Sequence, residues 1–229
     1  TEAGVAAFAA LREVAEVVPT TTRTPEQLAR VHLPGAPPRY AIAANGGHLL
    51  VDGVPDPDWA EVVRARLTGC APLAQVQDHL AAVSGGFVLN RRTASDLFCY
   101  AVVERTALPA GWVEDLAGWC AGRGWTVSLQ GRKVYAVPRE LTKSAAAREV
   151  VARTGAHTLL AAGDSLLDAD LLVAADRAVR PAHGELHDTG LALATLSVTS
   201  ASGVAAGTEL LTHLRELAVG ERTPAHGRV

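Results

Sequence analysis

Short apolar runs alternate with helix-like stretches at both ends of this chain, and the alternation restricts its fold more than any other feature. Strands buried on both faces read as brief continuous apolar runs. When helices separate such strands, they pair in parallel with the helices packed on either side. Val5, Phe8 and Leu11 recur at helical spacing, residues 14–18 then form an apolar strand, and Pro19 stops it. Thr24-Pro25-Glu26 supplies an N-cap, a proline for the first helical position and an acid for the first turn, so a second helix starts there. Residues 40–44 read as another buried strand, broken at Asn45-Gly46-Gly47. The rhythm resumes late in the chain, with a helix over 143–154, an apolar strand over 158–162 and a helix over 166–175. The ends therefore predict an α/β fold, a doubly wound and mainly parallel sheet.

From about residue 52 to 137 the pattern changes. Residues 57–67 and 73–83 look helical, 87–91 and 97–104 read as a strand pair, and 109–121 as a helix. Residues 125–130 and 133–137 close a hairpin at Gly131-Arg132. This is an antiparallel α+β module in the order αββαββ, inserted between a strand and a helix of the flanking layer. The predicted organisation is a first core part over 1–50, an inserted lid or cap over 51–137 and a second core part over 138–229, with a tail from Gly220 to Val229 that is expected to fray.

With 48% apolar residues among 229, the chain can bury a sizeable core. Lys and Arg total 21 against 24 Asp and Glu, a net charge of -3, so no global field draws in nucleic acid or an anionic membrane, and a charged ligand has to be captured locally. Apolar stretches such as 158–162 and 191–196 fall far short of the roughly 20 residues that span a bilayer. No signal-peptide pattern is present. Cys70, Cys99 and Cys120 lack C-x-x-C spacing and are odd in number, which argues against a disulfide framework or zinc knuckle and for a reducing cytoplasm. Methionine is absent altogether, as expected if an initiator was removed before Thr1 or if an N-terminal piece is missing.

Gly163-Asp164-Ser165-Leu166-Leu167-Asp168 stands where an apolar strand gives way to a helix, the position at which open α/β sheets bind ligands. Asp164 and Asp168 are four apart and can direct two carboxylates at a hard cation such as Mg²⁺. The alternative is that Asp164 or Ser165 caps the helix while Asp168 favours its positive end. Thr20-Thr21-Thr22-Arg23 follows the strand at 14–18, and hydroxyls and freed backbone amides at such an edge can hold phosphate oxygens, although threonine runs also serve plain turns. Lys143 opens a helix, where most lysines are simply solvated.

In this order, each at its place in the α/β rhythm, these fragments resemble the haloacid dehalogenase superfamily of phosphohydrolases. Thr21-Thr22-Arg23 is similar to the second motif, commonly Thr-Gly-Arg, and Asn45-Gly46-Gly47 to the Asn-Gly-Ala turn that precedes the cap. Lys143 in Leu-Thr-Lys-Ser-Ala-Ala-Ala is similar to the third-motif lysine, and the Gly163 to Asp168 block to the fourth motif. The cap order resembles that of the sucrose-phosphatase, trehalose-phosphatase and phosphomannomutase branch. The resemblance covers almost the whole chain and implies a Mg²⁺-dependent phosphatase of small phosphate esters, by cap type a sugar or polyol phosphate. It implies that Thr21, Thr22 and Lys143 hold the phosphoryl group, with Thr21 and Lys143 catalytic, and that Asp164 and Asp168 hold the metal. Asn45, Arg91, Arg92 and Lys133, with Glu104 and Gln130, are the polar residues through which the cap region would meet substrate. Leu167 and Thr22 depart from the family's usual Asn and Gly without removing a carboxylate.

The family's first motif, an Asp-x-Asp whose leading aspartate becomes phosphorylated, does not occur at the end of a first core strand here. Asp56-Pro57-Asp58 has the spacing, but its proline marks a helix start and it falls within the cap. The expectation is a nucleophile on an upstream strand, with a catalytically inactive phosphate-binding or interaction protein as the alternative. Two rivals are weaker. Gly163-Asp164-Ser165-Leu166 spells the block of the GDSL esterases, but the chain has no Asp-x-x-His to activate the serine. His183 and His187 are four apart, as in half of a zinc site, but Pro181 and Gly184 argue for a polar loop that would lie near the pocket.

Overall fold

The computed structural model describes residues 1–222. The chain opens with α1 (Glu2–Arg12), whose Gly4 N–H donates to the Thr1 hydroxyl at 3.1 Å. Residues 14–18 depart from expectation, since they join no ladder among the described residues. The extended segment earns only one parallel bridge, Thr20 to Ile42, in which Thr21 N–H donates to Ile42 O at 2.9 Å and Ile42 N–H to Pro19 O at 2.8 Å. Apolar composition makes a segment fit for a strand, but a neighbour has to pair with it. After α2 (Pro25–Leu28), with the expected Thr24 cap and a reciprocal Gln27 bond, comes β1 (Tyr40–Ala43).

β1 turns back at Asn45-Gly46-Gly47 and pairs antiparallel with β2 (His48–Val51), which pairs with β3 (Val54–Pro55). β1 is thus parallel only to the Thr20 bridge. The inserted region follows as α3 (Pro57–Arg66), α4 (Leu73–Ala82), β4 (Val88–Ala94), β5 (Phe98–Val103), α5 (Trp112–Ala121), β6 (Trp125–Gln130) and β7 (Lys133–Pro138). Its strands form one antiparallel sheet in the order β4-β5-β7-β6. Cys99, Ala101, Val103, Val134 and Ala136 alternate onto one face and are buried in the same cluster as Val76 and Leu80 of α4 and Leu116 and Cys120 of α5. Two indole N–H groups satisfy backbone carbonyls within this region, Trp125 to Ala71 O at 2.9 Å and Trp112 to Val83 O at 2.8 Å.

The chain then returns to the α/β layer as α6 (Lys143–Thr154), β8 (Leu160–Ala162), α7 (Ala169–Ala174), β9 (Arg177–Arg180), α8 (Glu185–Asp188), β10 (Leu196–Val198) and α9 (Gly203–Arg222). β8, β9 and β10 are parallel, in the order β10-β9-β8. α6 packs on α7, and α9 lies against α1, β8 and β9. The helix predicted over 166–175 begins as a 3-10 turn at Leu166–Asp168, because Ser165 and Asp168 cap each other there. A loop was predicted around His183 to Asp188. A single helical turn forms instead, starting after Gly184 and excluding His183. α9 carries helix through Arg222, and the rest of the tail expected to fray lies outside the described residues.

Asp56 accepts from Trp59 N–H at 2.7 Å as the cap of α3, and Arg153 on α6 grips the same carboxylate with two bonds, at 2.5 and 3.2 Å. Asp56-Pro57-Asp58 is therefore a helix start tied to the core. Trp59 Nε1 donates to Gly46 O at 2.9 Å, so the first inserted helix also holds the turn after β1.

Candidate active site

Thr20, Thr21 and Thr22, the start of α6 and the β8–α7 loop come together around one cleft of about 480 Å³, a size that suits a small ligand. Thr20 to Thr22, Lys143, Gly163 to Ser165, Asp168 and Glu185 line it from the α/β layer. Gln130 and Gly131, at the tip of the β6–β7 hairpin, line it from the inserted sheet.

The threonine wall is preorganised by its backbone. Asn45 N–H donates to Thr21 O at 3.0 Å and Ala44 N–H to Arg23 O at 2.7 Å, so the turn is held to the end of β1. Thr20 hydroxyl donates to Val18 O at 3.1 Å, and Thr21 hydroxyl accepts from Arg23 N–H at 3.2 Å, leaving its own proton free to donate. Thr22 has neither its N–H nor its hydroxyl bonded among the described residues. Two hydroxyl donors and an amide thus face the cleft.

Lys143 is 3% exposed and forms an ion pair with Asp168, itself 8% exposed. It reaches this place because Thr142 caps α6, its hydroxyl accepting from Ala145 N–H at 3.3 Å, while Asp170 on α7 accepts from Ser144 N–H at 2.9 Å. Asp168 is fully engaged. One oxygen meets Lys143, and the other accepts from Asp164 N–H at 3.3 Å, Ser165 N–H at 3.0 Å and the Ser165 hydroxyl at 2.8 Å. Burial pushes its pKa up, but the charge and hydrogen bond of Lys143 and the Ser165 bonds outweigh that and hold it below the ordinary carboxylate value. Gly163 is required by this arrangement, since a Cβ there would lie 2.4 Å from that of Asp168.

These contacts bear on the expected metal set. Asp168, expected to ligate Mg²⁺ beside Asp164, has its oxygens on Lys143 and the Ser165 turn. Asp164 lines the cleft with a carboxylate that has no hydrogen-bond partner among the described residues. That free hard-oxygen donor fits a magnesium ion that keeps most of its water and takes one or two carboxylates. No cluster of three His, Cys, Asp or Glu suited to a metal occurs among the described residues. His187 Nδ1 faces Arg180 Nη1 at 3.1 Å, and His183 Nδ1 accepts from Gly203 N–H at 3.4 Å, so the pair does not converge on one centre.

Other expectations fare unevenly. Asn45 does not reach the cleft. It is 3% exposed, sits in the left-handed region at φ 58°, and donates from Nδ2 to Leu141 O at 2.8 Å with its Oδ1 unpaired among the described residues. Its role is to tie the Thr21 turn to the residue two before Lys143. Arg91 is on the face of the inserted sheet shared with Ala101 and Val134, opposite the side on which Gln130 approaches the cleft, whereas Arg92 and Lys133 are on Gln130's side. Ser165 spends its hydroxyl on Asp168, and no histidine among the described residues is bonded to it. Burial pushes the Cys99 thiol up to about 12 and the Cys120 thiol up to about 11, which removes both as nucleophiles at neutral pH.

Sequence reasoning missed Glu185. Its carboxylate accepts from Leu166 N–H at 3.2 Å and shares the cleft wall with Gly131, and so stands between the β8–α7 loop and the hairpin tip. Burial, helped by Asp164 and Asp168, pushes its pKa up. The only signal was its position in the polar loop soon after the Asp164 block.

No protein-family model matches the chain, and no curated protein sequence does. Solved structures do. A sucrose-phosphatase from Synechocystis, determined with sucrose and phosphate, superposes with a TM-score of 0.68 at 18% identity, covering 92% of this chain and 91% of that one. A protein from Thermoplasma acidophilum gives 0.67 at 11% identity, with 96% and 90% covered. A haloacid dehalogenase subclass IIB sugar phosphatase gives 0.63 at 11% identity, with 96% and 92% covered. The chain has the fold of the haloacid dehalogenase phosphatases.

Proposed function

We propose that this protein is a Mg²⁺-dependent phosphohydrolase that removes the phosphoryl group from a small phosphorylated metabolite, a sugar or polyol phosphate. The observation that carries this reading is the meeting of Thr21, Thr22, Lys143 and Asp164, from three separate stretches of chain, in one cleft at the ends of the strands. Phosphoryl transfer asks little covalent chemistry of a protein and a great deal of positioned charge, because the transferring group spreads negative charge over its equatorial oxygens. The Thr21 hydroxyl and the Thr22 N–H donate to those oxygens from one side. Lys143 supplies a desolvated positive charge from another, with Asp168 holding its ammonium in place. Asp164 would hold magnesium, which when bound neutralises phosphate charge and orients the ester. This reading assigns the nucleophile to an aspartate outside the 229 residues and the covalent intermediate to an aspartyl-phosphate. The solved neighbours of the same fold, sugar phosphatases among them, support the assignment.

Calorimetric titration with inorganic phosphate in the presence of Mg²⁺ tests the pocket. Thr21→Val is expected to weaken phosphate about tenfold and Lys143→Met about a hundredfold, in line with losing a neutral and a charge-assisted hydrogen bond. Unchanged affinity in both variants, each verified as folded by circular dichroism, would overturn the reading. Phosphate binding by the natural full-length protein without ester turnover would favour the inactive, phosphate-binding alternative, which draws on the absence of Asp-x-Asp from the core strands described.

A further inference from the structure

Register places the residues of the inserted sheet on two unlike faces. The face under α4 and α5 is apolar along β5 and β7, with Arg91 and Thr93 of β4 exposed at its edge. On the other, Arg92 pairs across the ladder with Tyr100, Tyr100 with Tyr135 and Tyr135 with Ser128, while Lys133 pairs with Gln130. Gln130 lines the phosphate cleft, so this is the face that continues from the cleft along the sheet.

Its chemistry is specific. The Tyr100 and Tyr135 rings lie 5.2 Å apart at 37°, and Lys133 Nζ is 5.4 Å from the centre of the Tyr100 ring. Neither tyrosine hydroxyl is hydrogen-bonded among the described residues, and neither is the Arg92 guanidinium. No aspartate or glutamate occurs in β4, β5, β6 or β7, so the two cations on this face have no acid beside them on the sheet. Aromatic faces pack against the C–H surface of a carbon skeleton, and uncompensated cations select for negative charge.

We propose that the leaving group of the phosphate ester lies on this face and carries a second anionic group, a carboxylate or another phosphate. Lys133 and Arg92 bind that anion, and the half-buried Tyr100 ring packs against the carbon chain, with the buried Tyr135 backing it. The inference rests on the phosphate pocket described above and narrows its substrate to esters charged at both ends.

Two six-carbon esters that differ only at the far end, 6-phosphogluconate and glucitol 6-phosphate, separate the contribution of a carboxylate, and glucitol 1,6-bisphosphate that of a second phosphate. In competition against inorganic phosphate, at least one of the doubly anionic esters is expected to bind about tenfold or more tighter than glucitol 6-phosphate. The stronger of the two identifies the anion. The double variant Arg92→Gln, Lys133→Gln, at two exposed positions, is expected to erase that preference while leaving glucitol 6-phosphate and inorganic phosphate unchanged. Arg91→Gln, on the opposite face, is expected to leave the preference intact. Equal affinity for all three esters, or a preference that survives the double variant, overturns the inference while the phosphate pocket stands. Failure of inorganic phosphate itself to bind overturns both.

Discussion

Burying an ammonium and a carboxylate strips both of water, and only close pairing with further hydrogen bonds repays the loss. Lys143 and Asp168 meet that condition, since the second Asp168 oxygen takes three donors from Asp164 and Ser165. Removing one partner leaves the other uncompensated, so Asp168→Asn is expected to cost about 3–5 kcal/mol in urea unfolding. The pH dependence has a definite sign. The folded-state pKa of Asp168 lies below its ordinary value, so its stabilisation is full at neutral pH and is lost as pH falls through the folded value. Wild type should therefore lose stability steeply in acid, and Asp168→Asn should show a flatter acid limb. Glu185 has the opposite sign, because burial raises its pKa and the stability it contributes is lost as pH rises through that raised value. Glu185→Gln, which can still accept from Leu166, should match or exceed the wild-type melting temperature at pH 8, and a clear drop would show that the charge itself is needed.

At the scale of elements, α6 was readable in the sequence to the residue, because Thr142 caps it and Gly155 ends it in the left-handed region. The hairpin at Gly131-Arg132 was equally readable, since its strands alternate and its turn carries the glycine. Residues 14–18 misled because an apolar run specifies burial and not pairing. The Asn45-Gly46-Gly47 turn was read as a break, but not as the piece that positions the site. Gly46 has φ 94°, and a Cβ there would lie 2.2 Å from Thr142 O, against the cap of α6. Gly46→Ala combines backbone strain with a backbone clash and is expected to cost roughly 3 kcal/mol or more. Thr142→Ala removes one capping bond and should cost about 1 kcal/mol. Paired urea titrations of the two variants check the order, and equal stability of Gly46→Ala and Thr142→Ala would contradict the close packing of this turn on α6.

For the whole molecule, the α/β elements toward both ends and the antiparallel sheet between them were legible in the changing periodicity of the chain. The candidate site was legible where its residues stand in a recognisable order, Thr21 and Asp164 after extended segments and Lys143 at the start of α6. It was not legible where distant chain had to converge. Glu185 gains its place only once α8 turns back toward the hairpin tip, and the pairing of Asp168 with Lys143 is a packing fact that spacing alone does not show. The account stands on Asp164 being the carboxylate left free for magnesium beside a phosphate held by Thr21, Thr22 and Lys143. The most direct test is phosphate release from a panel of phosphomonoesters by the natural full-length protein, with and without Mg²⁺, compared with its Asp164→Asn variant. The account predicts turnover that requires Mg²⁺ and falls by at least about a hundredfold in Asp164→Asn. Undiminished Mg²⁺-dependent turnover by that variant would contradict it.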